Sequence, residues 1–323
     1  MRAREGLTSA IGRLEAWIFA PGSPRRLAAV RIGLCLLLAG RLSRPLYVQV
    51  AGQPRALFRP ISFMHLFHQM PSAPVALSVQ VASVFAALLA AAGIAIGWTL
   101  PAAFAGALFL NGMWSSIGQP MHNETMLLLA LVPLLIARSA DAWSVPAWRK
   151  RTAAPDPSPD YGWPVRTAMI VVASGYFFSG LYKLIFSGIA WVTSDNIRWI
   201  MYRISDENPH PIGPALFLAS HPLLAHLAAA GTLLTELGFP ICLWKSKAAW
   251  LFVPAVVLMH AGIGLTMHLD YSAWALTVVI LFVPWEALAK EPAQRTALGS
   301  TPSKTPRLVW LLLGRFILVR SSR

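Results

Sequence analysis

The feature that most constrains this chain is a series of long apolar runs separated by short polar turns. Only 12% of the 323 residues are charged, and the mean hydropathy is +0.57. Soluble domains carry about 25% charged residues, which excludes an ordinary soluble fold. About 20 apolar residues in a helix can cross the hydrocarbon core of a bilayer. The sequence therefore predicts an all-α, polytopic integral membrane bundle.

The apolar runs predict about eight membrane-spanning helices. The first is the weakest, because Arg31, Arg41 and Arg44 interrupt it. Arg31 and Arg44 can snorkel toward water from the two ends of the helix, whereas Arg41 is expected to face the protein interior. The predicted spans are 27–50, 75–98, 101–118, 124–138, 164–187, 222–243, 247–267 and 271–288.

The segments between and beside the spans predict three regions. Residues 1–25 have the pattern of an amphipathic cytoplasmic arm, 26–289 form the membrane domain, and 290–323 form a basic tail with an interfacial helix. Within the membrane domain, 54–68 is predicted to be interfacial or re-entrant. The linker 146–164 and the segment 188–220 are predicted to be loops, the latter resembling a lid.

The net charge of +14 has a topological explanation here. With a cytoplasmic N-terminus, about 19 lysines and arginines lie inside and about 6 outside. This asymmetry predicts a protein of the cell (inner) membrane with both termini in the cytoplasm. The sequence has no basic, aromatic-interleaved soluble module, so nucleic acid is excluded as a partner and membrane lipid is expected.

Under this orientation, ionisable groups from several spans share the outer depth of the bundle. A charged group inside a membrane domain needs a partner or a cavity, so such a cluster is a site hypothesis by default. Lys183 is the most demanding of them, because the apolar run continues beyond it. The groups are Lys183, His122, Asn123, Glu124, His260, His268 and Asp270.

Each group also has a structural explanation. Lys183 could snorkel from the end of its helix, and exposed turns could explain the groups near 122–124 and 268–270. His260 could be a buried histidine that bonds a neighbouring helix. Glu236 is expected to form a structural pair with Arg41 or Arg31. A metal site of His122, Glu124, His260, His268 and Asp270 is conceivable, but no spacing supports it, so none is predicted.

Several motifs, in order, resemble the HTTM domain, the membrane domain shared with vitamin K-dependent gamma-carboxylases. The most specific is YFFSGLYKL at 176–184, followed by Ser187-Gly188 and Trp191. HNETMLLLALVPLLI at 122–136 is similar to the family's Asn-rich turn and Leu-rich helix. The resemblance covers roughly 20–288. It also includes Arg31-Ile32, Ser139 to Asp141, Glu236, His260 and Met267-His268.

The resemblance implies that Lys183 is a general base acting on a reduced vitamin K or menaquinol-like quinol. It also implies catalytic roles for His122, Asn123, Glu124 and His260. Cofactor contacts are then expected from Tyr182, Trp191 and His268. Two departures weaken the match to a protein carboxylase. The carboxylases have a histidine after paired asparagines where this chain has His122-Asn123-Glu124, and their large exterior domain is not expected here.

Two functions therefore remain open. The first is a carboxylase-like enzyme, of carbon–carbon lyase or ligase type, that uses a reduced quinone or a lipid. The second is a non-catalytic quinone- or lipid-binding subunit that works with a separately encoded exterior or thioredoxin-like partner protein. A transporter is less favoured, because no internal repeat or interrupted helix is visible in the sequence.

Overall fold

Every regular element in the described part of the chain is a helix. The structure is a computed structural model that describes residues 11–118, 121–283 and 285. Within these residues the only β pairing is an isolated bridge between Gly22 and Ser158. The all-α prediction is confirmed.

The helices vary widely in length, and short 3-10 segments join several of them. The α-helices are α1 (11–18), α2 (Pro24–Leu42), α3 (Leu46–Val50), α4 (Ala73–Ala91), α5 (Ile96–Ser115), α6 (Thr125–Leu131), α7 (Val145–Lys150), α8 (Pro159–Ser187), α9 (Ala190–Thr193), α10 (Asn196–Asp206), α11 (Gly213–Ser220), α12 (Pro222–Gly238), α13 (Ile241–Trp244), α14 (Ala249–Met267) and α15 (Ser272–Phe282). The 3-10 helices are Arg55–Leu57, Ser62–Leu66, Val132–Ile136 and Ser246–Ala248.

Four helices in the described residues are long and apolar enough to cross a membrane. They are α4, α5, α8 and α14, the last extended by its preceding 3-10 turn. The pair α11 and α12 passes the same test together, but it is bent by 102° at the break. Helix α6 with its 3-10 extension, and α15, are apolar but shorter. These lengths show a protein whose helices suit a membrane.

The turn between α4 and α5 lies earlier than predicted. The chain turns at 92–95, and Pro101 is inside α5 instead of before it. Gly93 has φ +71°, and a Cβ there would lie 2.5 Å from the Ser144 Cβ. The turn is therefore placed by a glycine that both adopts a left-handed backbone and allows close packing.

Two predicted loops contain helices. In 188–220, the loop prediction is wrong, because α9, α10 and α11 occupy most of it. Met201, Ile212, Ala215 and Ala219 form a small buried cluster there. Amphipathic packing outweighs the turn-forming residues that suggested a loop.

The linker prediction needs a smaller correction. Helix α7 covers the beginning of 146–164, and α8 begins at Pro159, so that Pro164 is inside α8. A proline near a helix start needs no backbone N–H there, which explains the early beginning of α8. The segment 54–68 contains two short 3-10 helices and no spanning helix.

Helix α2 is central, since it packs against α4, α6, α8 and α15. Its arginines are tolerated because they are bonded inside the protein. Arg31 is fully buried and does not snorkel to water: it donates to the carbonyl oxygens of Ser139, Ala142 and Trp143. Of the predicted terminal segments, 1–10 and 286–323 lie outside the described residues.

Candidate functional site

The centre of the candidate site is an ion pair between Lys183 of α8 and Glu236 of α12. Lys183 Nζ lies 2.7 and 2.8 Å from the two carboxylate oxygens. The side chains are 20% and 8% exposed. The expectation that Glu236 pairs with Arg41 or Arg31 is wrong, because α12 packs on α8 at this point.

Gly180 explains why the two helices approach so closely here. A Cβ at Gly180 would lie 3.0 Å from the Glu236 Cβ and 2.9 Å from the Leu237 Cγ. Only glycine leaves this space, and Gly180 lies three residues, or just under one turn, before Lys183. The same local sequence therefore supplies the cation and brings its partner within reach.

Trp191 of α9 covers the lysine. Lys183 Nζ lies 5.4 Å from the centroid of the Trp191 ring, within cation–π range. The indole Nε1 is buried and has no hydrogen-bond partner among the described residues. An unpartnered buried donor beside an ion pair is a position where a ligand oxygen would be favoured.

A second polar contact lies deeper on the same face of α8. Tyr176 precedes Lys183 by seven residues, which is two turns or about 10 Å along the helix. Its hydroxyl oxygen lies 2.8 Å from His260 Nε2 of α14, and both side chains are buried. His260 Nδ1 has no partner among the described residues. His260 is therefore bonded to a neighbouring helix, as its structural explanation requires, and keeps one free ring nitrogen.

An aromatic cluster connects His260 to His122. The ring of Tyr271 lies 5.7 Å from that of His260 and 5.4 Å from that of His122. The Tyr271 hydroxyl is 2.6 Å from His122 Nε2, and the Trp274 indole donates to the His122 carbonyl. Trp274 also lies 5.9 Å from the Tyr176 ring. His122 is thus linked to the Tyr176–His260 contact by the rings of Tyr271 and Trp274.

Arg41 organises a separate charged network. Its guanidinium donates to both oxygens of Glu124, at 2.6 to 2.9 Å, and to Asp270 at 2.8 Å. Arg44 also pairs with Asp270, and Asn123 donates to the Asp270 carbonyl. Arg41 and Glu124 are almost fully buried. The two positive charges of Arg41 and Arg44 balance the two negative charges of Glu124 and Asp270. Glu124 therefore has a structural partner in Arg41, and Asn123 has one in the Asp270 carbonyl.

Asp270 lies in the turn between α14 and α15, and its surroundings stabilise the charged form. Partial burial alone would raise the pKa of this carboxyl. Hydrogen bonds from Ser272 and the charge of Arg41 outweigh it, and they hold the pKa of Asp270 well below its usual value.

Two predicted cofactor contacts lie away from these clusters. Tyr182 is 62% exposed and stacks on Phe186, with ring centroids 4.2 Å apart. His268 is exposed and ends α14 with a left-handed backbone. Trp191 is the predicted contact that lies beside Lys183.

The structure also identifies participants that the sequence reasoning missed. Tyr176, Tyr271, Trp274 and Arg44 were not predicted as site residues. Tyr176 could have been found from its spacing, because it lies seven residues before Lys183 in the same apolar run and therefore on the same helix face. Tyr271 and Trp274 offered no such signal, since their role depends on how α15 packs.

The described residues contain no group of three or more His, Cys, Asp or Glu side chains placed to hold a metal ion. The carboxylates of Glu124 and Asp270 are directed at Arg41 instead.

Comparison with known proteins does not assign this site. No family model, no curated protein and no solved structure matches the chain. The resemblance to the HTTM domain therefore stays a prediction.

Proposed function

We propose that this chain is an eight-span membrane protein of HTTM type that transfers a proton at the Lys183–Glu236 pair. The substrate class is a quinol or a lipid hydroxyl. The observation that carries the proposal is the ion pair itself: a bidentate Lys–Glu contact between two apolar helices, under an indole with an unpartnered donor. Ionisable groups at such depth are expensive and mark functional sites.

Eight spans are supported by the way the shorter helices are enclosed. Helix α2 has 19 residues, about 28 Å, and its buried arginines are bonded internally. Helix α12, which has 17 residues and lies within the predicted span 222–243, would form one further span of about 25 Å. Helix α6 with its 3-10 extension, and α15, pack against longer helices such as α8. With the four long helices, these elements complete eight crossings.

The positive-inside asymmetry supports cytoplasmic termini in the cell (inner) membrane. This orientation places the C-terminal end of α8, and with it Lys183, toward the exterior. Exterior access suits a substrate delivered from the membrane or from a separately encoded exterior or thioredoxin-like partner protein.

The chemistry begins with the two proton arrangements of the pair. Moving one proton from Lys183 Nζ to Glu236 converts the ion pair into a neutral amine and a carboxylic acid. A dry site favours neutral forms, because charge separation is costly there. The neutral amine of Lys183 can then accept a proton from a substrate hydroxyl, which leaves a substrate oxyanion, an ammonium on Lys183 and a neutral Glu236. Release of the Glu236 proton to exterior water restores the ion pair, in which the carboxylate stabilises the Lys183 ammonium.

A quinol fits the residues present. When bound, it would supply a weakly acidic hydroxyl and reducing equivalents. The Trp191 Nε1 donor would hold one of its oxygens, and the His260 Nδ1 atom offers a second polar contact deeper in the bundle. Tyr182 and His268 are exposed and would contact it only at its entry.

One observation favours the non-catalytic alternative, a quinone- or lipid-binding subunit. Asn123 and Glu124, which the HTTM resemblance makes catalytic, are bonded to Asp270 and Arg41. A protein that binds a quinone or lipid without turnover needs Lys183, Glu236 and Trp191 as ligand contacts, and it needs no catalytic role for Asn123 or Glu124.

The test uses the full chain in lipid nanodiscs. Quinol-dependent oxygen uptake and carbon dioxide fixation are measured with menaquinol for the wild type, Lys183→Gln and Glu236→Gln. Loss of general base catalysis lowers rates by about 100-fold or more. Arg203→Gln is the matched control, because it breaks an exposed ion pair with Glu207 elsewhere.

The outcomes separate the two functions. Turnover that disappears only in the Lys183 and Glu236 variants supports the enzyme. Saturable menaquinol binding without turnover, lost in the same variants, supports the binding subunit. Equal turnover and equal menaquinol binding by all four proteins would refute the site.

A further inference from the structure

A basic cavity opens at the other end of α8, far from Lys183. It has a volume of about 860 Å³ and is lined by Arg25, Arg149 and Arg151 together with residues of the 141–154 segment. Asp141 also lines it and accepts a hydrogen bond from Tyr161, near the start of α8. Tyr161 and Lys183 are 22 residues apart, or about 33 Å along the helix. The cavity is therefore independent of the proposed site.

The cavity has an excess of positive charge. Within the described residues, Arg25, Arg149 and Arg151 are exposed and none of them is in an ion pair. The single acid in the lining, Asp141, is already paired with Arg138 and bonded to Tyr161. Three uncompensated guanidinium groups around one cavity favour an anionic group with several oxygens, such as a phosphate.

An apolar groove lies beside the cavity, on the surface of α2 and α4. The groove has a volume of about 450 Å³ and shares Trp143, Ser144 and Trp148 with the basic cavity. Its remaining lining is aliphatic: Ile32, Leu36, Leu88, Ala91, Ala92 and Val145. A polar head in the cavity would therefore lie next to a hydrocarbon chain in the groove.

The dimensions agree with one leaflet of a bilayer. From Arg25 to Leu36 is 11 residues of α2, or about 16 Å, which is close to half of the ~30 Å hydrocarbon thickness. The two tryptophans at the junction, Trp143 and Trp148, are 41% and 79% exposed. Exposed tryptophan at this level is typical of the membrane–water interface.

The segment that lines both the cavity and the groove is held in place from the protein interior. Arg31 donates to the Trp143 carbonyl at 2.6 Å, and the backbone N–H of Val145 donates to the Ala92 carbonyl. The side chain of Ser144 caps α7 by accepting from Ala147. The cavity is thus preformed, which lowers the ordering entropy that binding requires.

We infer that this cavity and groove bind one anionic glycerophospholipid, with its phosphate among Arg25, Arg149 and Arg151 and an acyl chain along α2 and α4. Charge complementarity selects the headgroup, and the adjacent apolar groove selects a lipid over a soluble phosphate. Trp143 and Trp148 lie at the glycerol level between the two parts.

The first part of the test compares two lipids that have identical acyl chains and head groups of different net charge. Delipidated full-length protein in detergent is titrated with phosphatidylglycerol or phosphatidylcholine of identical chains, and bound lipid is counted by native mass spectrometry. We expect phosphatidylglycerol to bind at least about tenfold more tightly, and Arg149→Gln/Arg151→Gln to remove most of this preference. The control Arg55→Gln/Arg59→Gln removes two exposed arginines outside the cavity and should keep it.

The chain arm compares two neighbouring leucines of α4. Leu88 lines the groove, whereas Leu89 is similarly exposed and does not. Leu88→Trp fills the groove and should weaken binding of both lipids severalfold, while Leu89→Trp should bind like the wild type.

Four results would overturn the inference. They are equal affinity for the two lipids, equal loss in both arginine double variants, equal behaviour of Leu88→Trp and Leu89→Trp, and competition by glycerol 1-phosphate at concentrations equal to those of the lipid. The last would identify a soluble phosphate compound as the occupant.

Discussion

Arg41 forms a buried ion pair with Glu124. Its partner Glu124 is 1% exposed, so neither group can exchange its partner for water. Removing one member of a buried pair leaves an uncompensated charge, which is far more damaging than the loss of an exposed pair. The Arg41 network therefore contributes to stability and leaves little freedom for Glu124 to act as a catalyst.

Arg41→Gln should destabilise the protein by about 3–5 kcal/mol, because Glu124 stays buried without its cation. Arg44→Gln is the matched control and should cost about 0–1 kcal/mol, since Arg44 and Asp270 are both partly exposed. Denaturation in detergent measures both. The double variant Arg41→Gln/Glu124→Gln should recover part of the loss. An Arg41 variant no less stable than the Arg44 variant would contradict this account.

Asp270 makes stability depend on pH in a defined direction. The pKa of Asp270 is lower in the folded state than in the unfolded state. Its contribution to the free energy of unfolding is therefore fully present above the unfolded pKa and is lost as pH falls through the folded pKa. The melting temperature of Asp270→Asn should lie below that of the wild type at pH 7, and the gap should narrow below about pH 4. Asp156→Asn, which changes an exposed linker residue, should show no such gap. A constant gap at all pH values would exclude the charge as its cause.

The contact between α8 and α12 is the decisive feature at the level of elements. It depends on Gly180, since a side chain there would meet Leu237 and Glu236. The neighbouring cation–π contact from α9 and the ion pair both require this spacing. Helix packing thus determines the chemistry of Lys183 as much as the lysine itself does.

Gly180→Ala should destabilise the protein by about 1–3 kcal/mol, because the added Cβ forces α12 away from α8. Gly231→Ala, in α12, is the matched control. It has no neighbour within 4 Å of the new Cβ and should stabilise the helix by up to about 1 kcal/mol. Thermal denaturation in detergent measures both. If the two variants shift the melting temperature in the same direction, the close approach at Gly180 is unimportant.

At the scale of the whole molecule, the two ends of α8 have different characters. One end lies beside the basic cavity with its exposed arginines, and the other carries the Lys183–Glu236 pair. Positive charge at one end of a bundle is what orients it in a membrane. The proposed lipid site and the proposed proton-transfer site would then face opposite leaflets.

Cysteine labelling tests this orientation directly. The native Cys35 and Cys242 are buried, so introduced thiols dominate the signal. In intact cells, a membrane-impermeant maleimide should label Thr193→Cys, at the Lys183 end of α8. It should label Ala153→Cys, in the linker before α8, only after permeabilisation. Both positions are exposed. The reverse pattern would invert the proposed topology.

The sequence by itself predicted the all-helical class and the presence of helices apolar enough to cross a membrane, because hydropathy and charge are properties of each segment alone. It also identified Lys183, Glu236, His260 and Arg41 as groups that need partners. Only the tertiary structure decided which partners these are. Periodicity along a helix gives the depth and face of a side chain but not the neighbouring helix that meets it. For this reason Glu236 was expected beside Arg41 and lies beside Lys183, where Gly180 admits α12.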